Sequence, residues 1–269
     1  MALTKLQRNV CKLIAAQRIA SGESYVAGGV ALNEMLAGSR FSQDVDLFHD
    51  TEEALDASWT ADRAHLIRQG FDVVPLRERP SFVEAEVKKD GESVLLQWVR
   101  DSAYRFFPLV EDPNFGLALH PFDLATNKVL ALVGRLEVRD WVDAIVCNDN
   151  LQDLGYLAWA ACGKDPGFSP TSILEQAARS SHYSAAEVAS LSFDGTPPDA
   201  GELSRRWRSI LQGARLVVDA LPGQEAGKCV LDSDGRLLRA KPEEIGLLFR
   251  RGELRFHAGS IRGAFPRLM

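Results

Sequence analysis

Apolar residues recur at helical spacing from the start of the chain: Leu3, Leu6, Val10 and Leu13 predict an amphipathic helix to about Ala20. Tyr25, Val26 and Ala27 then read as a short strand running into Gly28 and Gly29. The helical period returns in Val30, Ala31, Leu32, Met35 and Leu36, with Gly38 as its stop. From Asp44 to Phe48 the period becomes two, which sends Val45 and Leu47 to one face of a strand and Asp44 and Asp46 to the other. Leu55, Trp59 and Leu66 predict a further helix, capped by Asp50 with Glu53 and ended by Gly70; Phe71 to Val74 resumes as strand. Phe82–Val87 and Val94–Val99 flank the turn signal Asp90-Gly91 and predict a hairpin.

Residues 102–121 lack a clear period and carry prolines, which predicts a crossing connection. Helices are expected beyond it at Pro121–Gly134, Val138–Cys147, Leu151–Ala161, Pro170–Arg179 and Ser184–Leu191, with a longer one after Ala200. Lys228–Leu238, around Asp234-Gly235, reads as a hairpin. The pattern divides the chain into an α/β part, residues 1–120, and a mostly helical part, residues 121–269.

Composition narrows the classes. With 46% hydrophobic and 25% charged residues the chain is an ordinary globular protein able to bury a core. A net charge of −6 argues against a general nucleic-acid binder, while the local cluster Arg205, Arg206 and Arg208, with Arg250 and Arg251, keeps an RNA-backbone contact open beside the simpler reading of solvated helix charge. Cys11, Cys147, Cys162 and Cys229 have neither metal-ligand spacing nor a disulfide pattern and read as buried thiols. No segment has the apolar length of a membrane span or signal region, so a cytoplasmic protein without a membrane partner is expected. Trp98, Trp141, Trp159 and Trp207 read as core anchors in preference to base-stacking surfaces.

The candidate chemistry lies in residues 25–50. A glycine pair lets backbone approach a phosphate, and the N–H groups opening the next helix attract anions. Asp44 and Asp46 on one strand face can share a divalent cation, and Arg40 and Ser42 precede them near the same phosphates. Together these residues predict a site for a nucleoside triphosphate with Mg2+ or Mn2+.

The run GGVALNEMLAGSRFSQDVDLF, from Gly28 to Phe48, resembles the nucleotidyltransferase superfamily. It is most similar to the AbiEii-type nucleotidyltransferases, the toxins of type IV toxin–antitoxin (abortive infection) systems. The later block FDLATNKVLALVGRLEVRDWVDAIV, from Phe122 to Val146, resembles that family's second conserved stretch. The resemblance implies a polymerase beta-like mixed sheet with flanking helices and a helical C-terminal region that contributes Lys128 and Asp140 to the cleft. It implies that Lys128 contacts the triphosphate, that Asp140 is the essential acid of the last motif, and that Arg139 and Asp143 support it. Transfer of a nucleoside monophosphate to an RNA, such as a transfer RNA end, or to a protein side chain is implied, as is a cognate antitoxin.

One position departs from the family. Its third acid, expected on the strand Val94–Val99, corresponds to Gln97, and an amide can be neither a general base nor a neutralising charge. Three alternatives follow: Asp101 substitutes from beyond the strand, Asp44 and Asp46 suffice, or the chain is a catalytically weak or inactive nucleotide-binding module. A sugar-nucleotide transferase using Asp-x-Asp explains neither the Gly-Gly helix nor the Lys128 block. His49 is weighed as a partner of a metal-bound carboxylate and left outside the predicted site.

Overall fold

The computed structural model describes residues 3–180 and 183–266. By its internal contacts the chain divides into two compact units, Met1–Ala103 with Leu109–His120 and Tyr104–Pro108 with Pro121–Met269.

The first unit contains α1 (Lys5–Ser21), β1 (Ser24–Ala27), α2 (Gly28–Met35), β2 (Asp44–His49), α3 (Glu52–Arg68), β3 (Asp72–Arg79), β4 (Phe82–Lys89) and β5 (Glu92–Arg100). After the two-residue β6 (Tyr104–Arg105), which belongs to the second unit, come β7 (Val110–Asp112) and β8 (Gly116–Ala118). Seven strands form one mixed sheet in the order β3-β4-β5-β2-β1-β8-β7. Strand β2 lies near its middle, parallel to β5 and antiparallel to β1.

Alternation along the strands builds the core. Val45, Leu47, Ala85, Val87, Leu96 and Trp98 face one side and are fully or almost fully buried with Val10 and Ile14 of α1 and Leu55 and Leu66 of α3. Trp98 stacks edge-on against Trp59 at 4.7 Å and donates its indole N–H to Asp62 at 3.0 Å. Arg18 reaches the same carboxylate at 3.2 Å, so the charge buried between α1, α3 and β5 is both paired and hydrogen-bonded. The opposite face carries Asp44, Asp46, Glu84, Glu86 and Gln97, all half-exposed.

In the second unit come α4 (Pro121–Arg135), α5 (Val138–Asn150), α6 (Leu154–Ala161), α7 (Pro170–Ala177), α8 (Ala185–Ala189) and α9 (Ala200–Ala220). They are followed by β9 (Lys228–Leu231), α10 (Pro242–Arg250), β10 (Arg255–Ala258) and β11 (Ser260–Ile261). Every residue of α6 is buried, and it packs on α4, α7, α9 and β9, as an all-apolar helix must. The segment 104–108 is fastened here by Asp123, which accepts the backbone N–H groups of Phe106 and Phe107 at 2.8 and 3.0 Å and pairs with Lys164 at 2.7 Å.

Four sequence expectations change. Thr51, not Asp50 with Glu53, caps α3, its hydroxyl accepting the Ala54 N–H. Residues 102–121 form three short strands; β8 pairs parallel with β1, satisfying backbone groups that a plain connection would leave unmatched. In 228–238 the Asp234-Gly235 turn is present and the arms are tied by the bridge Leu231 to Leu237 and by the N–H groups of Asp232 and Leu238 donating to Arg236 O and Val230 O, but the second arm forms no strand and the ladder partner of β9 is the distant β10. The helix predicted from Leu151 starts at Leu154. Among the described residues no helix is long and apolar enough to cross a membrane.

Candidate functional site

Local chemistry folds the segment from β1 to β2 into a compact cradle of glycine backbone and polar side chains. Gly28 begins α2 at φ +68°, a left-handed conformation that side chains disfavour. The carboxylate of Asp46 occupies the space above it: a Cβ on Gly28 would lie 1.7 Å from Asp46 Oδ2. Ala27, the N-cap of α2, makes no side-chain hydrogen bond to the opening N–H groups of the helix. Pairing of Ala27 with Asp46 across the antiparallel β1–β2 ladder fixes the carboxylate beside this turn.

Gly29 serves the other side. A Cβ there would meet Arg40 Nη2 at 2.6 Å and Ser42 Oγ at 2.9 Å, so both predicted phosphate residues lean over its Cα. Ser42 donates its hydroxyl to Asp44 Oδ1 at 3.0 Å, joining the loop to the first carboxylate. The backbone at Ser42 is held from α1, where Gln7 Nε2 donates to Ser42 O at 2.8 Å. Gln7 is also the reciprocal partner of Thr4 in the capping box that opens α1. Its pattern with Thr4 marks a helix start in sequence; its tie to a loop 35 residues away does not show there. The cradle thus joins Gly28, Gly29, Arg40, Ser42, Asp44 and Asp46 in one unit.

A divalent cation can be matched to these donors. Among the described residues no group of three His, Cys, Asp or Glu side chains is arranged to hold a metal ion. Asp44 and Asp46 nevertheless share one half-exposed face beside the glycine turn, and magnesium is commonly bound by one or two carboxylates completed by substrate phosphates and water. The donor set fits a cation that arrives with a triphosphate.

Gln97 lies beside Asp46 in the parallel β2–β5 register, and Glu84 beside Gln97 in the antiparallel β4–β5 register. Gln97 Nε2 donates to Glu84 Oε1 at 2.9 Å. Alternation places Glu84 on a polar strand face, but only the register reveals that it neighbours Gln97. Asp101 stands four residues further along; its N–H bonds His49 O at the far end of β2, about 13 Å from Gln97 at the usual strand rise. It does not replace the missing acid.

His49 faces the core, on the side of Val45 and Leu47 and away from Asp44 and Asp46. Its Nδ1 lies 3.3 Å from Val99 O, Nε2 has no partner, and burial lowers its pKa from 6.5 to about 4, so it is neutral. It is a core residue.

In the second unit, Lys128 on α4 is nearly buried and held by Asp140 at 2.8 Å and Asp143 at 3.1 Å on α5. Arg135 completes a fork on Asp140, its Nε and Nη2 at 2.6 and 3.0 Å. Burial alone would raise the Asp140 pKa, but the Arg135 hydrogen bonds and the Lys128 charge reverse the sign and hold it below the usual carboxylate range. Arg139 pairs with Glu137 at 2.6 Å.

No family model matches the sequence, and no curated protein matches it. Solved structures do. JHP933 from Helicobacter pylori aligns over 81% of this chain and 95% of its own length, with 17% identity and a TM-score of 0.53. MenT4, a nucleotidyltransferase toxin from Mycobacterium tuberculosis H37Rv, aligns over 77% of this chain and 82% of its own, with 16% identity and a TM-score of 0.53. The chain therefore shares its fold with these two proteins, a mixed sheet with flanking helices followed by a mostly helical region.

Proposed function

We propose that the chain is a metal-dependent nucleotidyltransferase that moves a nucleoside monophosphate from a nucleoside triphosphate to an RNA or protein acceptor in the cytoplasm. The observation carrying this reading is the seating of the Asp46 carboxylate directly over Gly28, in space that any other residue at position 28 would fill.

Each residue has a distinct task in this reading. The turn at Gly28 and Gly29 and the opening N–H groups of α2 receive the triphosphate, with Arg40 adding positive charge and Ser42 a hydroxyl. Asp44 and Asp46 would hold Mg2+ or Mn2+, which would supply neutralisation of the charge on phosphate oxygens as an acceptor oxygen attacks the α-phosphorus and pyrophosphate leaves. The family resemblance gives Lys128 contact with the triphosphate; within its own unit its ammonium is kept in one place by Asp140 with Asp143. Arg139 supports this cluster indirectly.

Transfer of α-phosphate label from each nucleoside triphosphate into total RNA and protein, compared between the protein and Asp46→Ala, tests the reading. Label that depends on Asp46 supports it and identifies the acceptor class. Gln97 supports a second reading, a nucleotide-binding module without turnover; nucleotide binding with no transfer under any metal, and transfer gained by Gln97→Asp, would favour it. MenT4's description as a toxin motivates a further proposal, that expression arrests growth until a cognate antitoxin is supplied. An Asp46→Ala chain that arrests growth equally would refute it.

A further inference from the structure

The open face of the first unit changes character across its strands. On the β1–β2 side stand groups suited to anions: the glycine turn, Arg40 and Ser42. Beyond Asp46, the next two positions in the same row are Gln97 and Glu84. A triphosphate is not favoured by an amide oxygen and a carboxylate, so this half of the row suits a cation or another electropositive group.

The chemistry of the pair fixes which end of the amide is presented. An ionised carboxylate can only accept hydrogen bonds, so the side of Gln97 turned to Glu84 must be its NH2 group. The observed 2.9 Å contact from Gln97 Nε2 to Glu84 Oε1 has this arrangement. The carbonyl oxygen, Oε1, is then the end that Glu84 does not take. Without Glu84 the amide could turn over and offer NH2 beside Asp46, where it would oppose a bound cation.

We propose that Glu84 is a positioning residue that locks Gln97 so that its Oε1 serves as a neutral oxygen donor to the divalent ion held by Asp46 together with a triphosphate. This rests on the metal and triphosphate reading above. Glu84 acts through Gln97, and the pair gives the site a third oxygen without a third charge.

A double-mutant cycle on cation affinity tests it. Free Mn2+ is measured by electron paramagnetic resonance during titration of the full chain in the presence of a non-hydrolysable α,β-methylene nucleoside triphosphate. Variants are Glu84→Gln, Gln97→Leu, the double variant and Asp46→Ala, each with its melting temperature. Groups that orient a metal ligand typically contribute about 10- to 100-fold in affinity, so Glu84→Gln and Gln97→Leu are each expected to weaken Mn2+ binding about tenfold. The double variant should be no weaker than Gln97→Leu alone, because Glu84 has nothing left to orient.

Independent additive losses would overturn the inference and make Glu84 a long-range charge. Unchanged affinity in either single variant, with binding still dependent on Asp46, would overturn it and leave the metal reading intact. Binding indifferent to Asp46→Ala would sink both. Glu84→Asp, which preserves the acceptor-only carboxylate, should recover part of the affinity lost in Glu84→Gln; no recovery counts against the lock.

Discussion

Substitution of Gly28 by alanine separates a site residue from an ordinary turn. Two costs combine. At φ +68° an alanine carries a left-handed penalty of about 1–2 kcal/mol. Its methyl group would also start 1.7 Å from Asp46 Oδ2, so the carboxylate must move by roughly 1.5 Å to regain ordinary contact distance, a displacement of the size that can cost about a hundredfold in rate. The chain should therefore stay folded, with a melting temperature lower by about 5 °C, while label transfer falls about a hundredfold. Gly29→Ala provides the contrast. Its methyl group meets the flexible ends of Arg40 and Ser42, so Asp46 stays in place and the loss should appear as weaker triphosphate binding. The assays are a thermal melt, nucleotide binding and transfer at saturating metal on the same preparations. Gly28→Ala with transfer within twofold of the parent would refute the reasoning, as would a collapse of the melt large enough to account for lost transfer by unfolding.

Other consequences concern the supporting residues. His49 has a folded pKa of about 4 against 6.5 when exposed, so the unfolded chain binds more protons between these values. Its contribution is present above about pH 6.5 and is lost progressively as pH falls to about 4, by about 3 kcal/mol in all; His49→Asn should flatten that part of the stability profile measured by denaturant melts. Asp140→Ala leaves Lys128 nearly buried with Asp143 as its remaining acid among these contacts and should cost about 3–5 kcal/mol by urea denaturation, whereas a loss under 1 kcal/mol would show that the pair is not buried in solution. Gln7→Ala removes the tie to Ser42 and half of a capping box; a loss of about 1–2 kcal/mol with weaker triphosphate binding is expected, and stability loss without any change in binding would limit Gln7 to the helix.

The sequence by itself determined the segment from Tyr25 to His49. Glycines at a turn, a helical period and then a period of two are local signals, and they prescribe a strand, a helix and a second strand because backbone sterics and side-chain direction act within a few residues. That locality marked Gly28, Gly29, Arg40, Ser42, Asp44 and Asp46 as candidates, whereas the β1–β2 pairing of Ala27 with Asp46 seats the carboxylate over Gly28, and the strand's continuation through His49 puts that residue on the core face with Val45 and Leu47. The helices of the second unit from α4 to α9 were legible for the same reason, while α10 was not among those expected. What the fold decided was every relation across strands or between distant segments. Only strand register places Gln97 between Asp46 and Glu84, and only it carries Asp101 away from them. The Gln7 bond to Ser42, the Arg135 fork on Asp140 and the attachment of residues 104–108 through Asp123 depend on which surfaces meet. Burial makes those meetings decisive: a polar group removed from water needs a partner, and the partner is whichever residue the tertiary fold brings within reach.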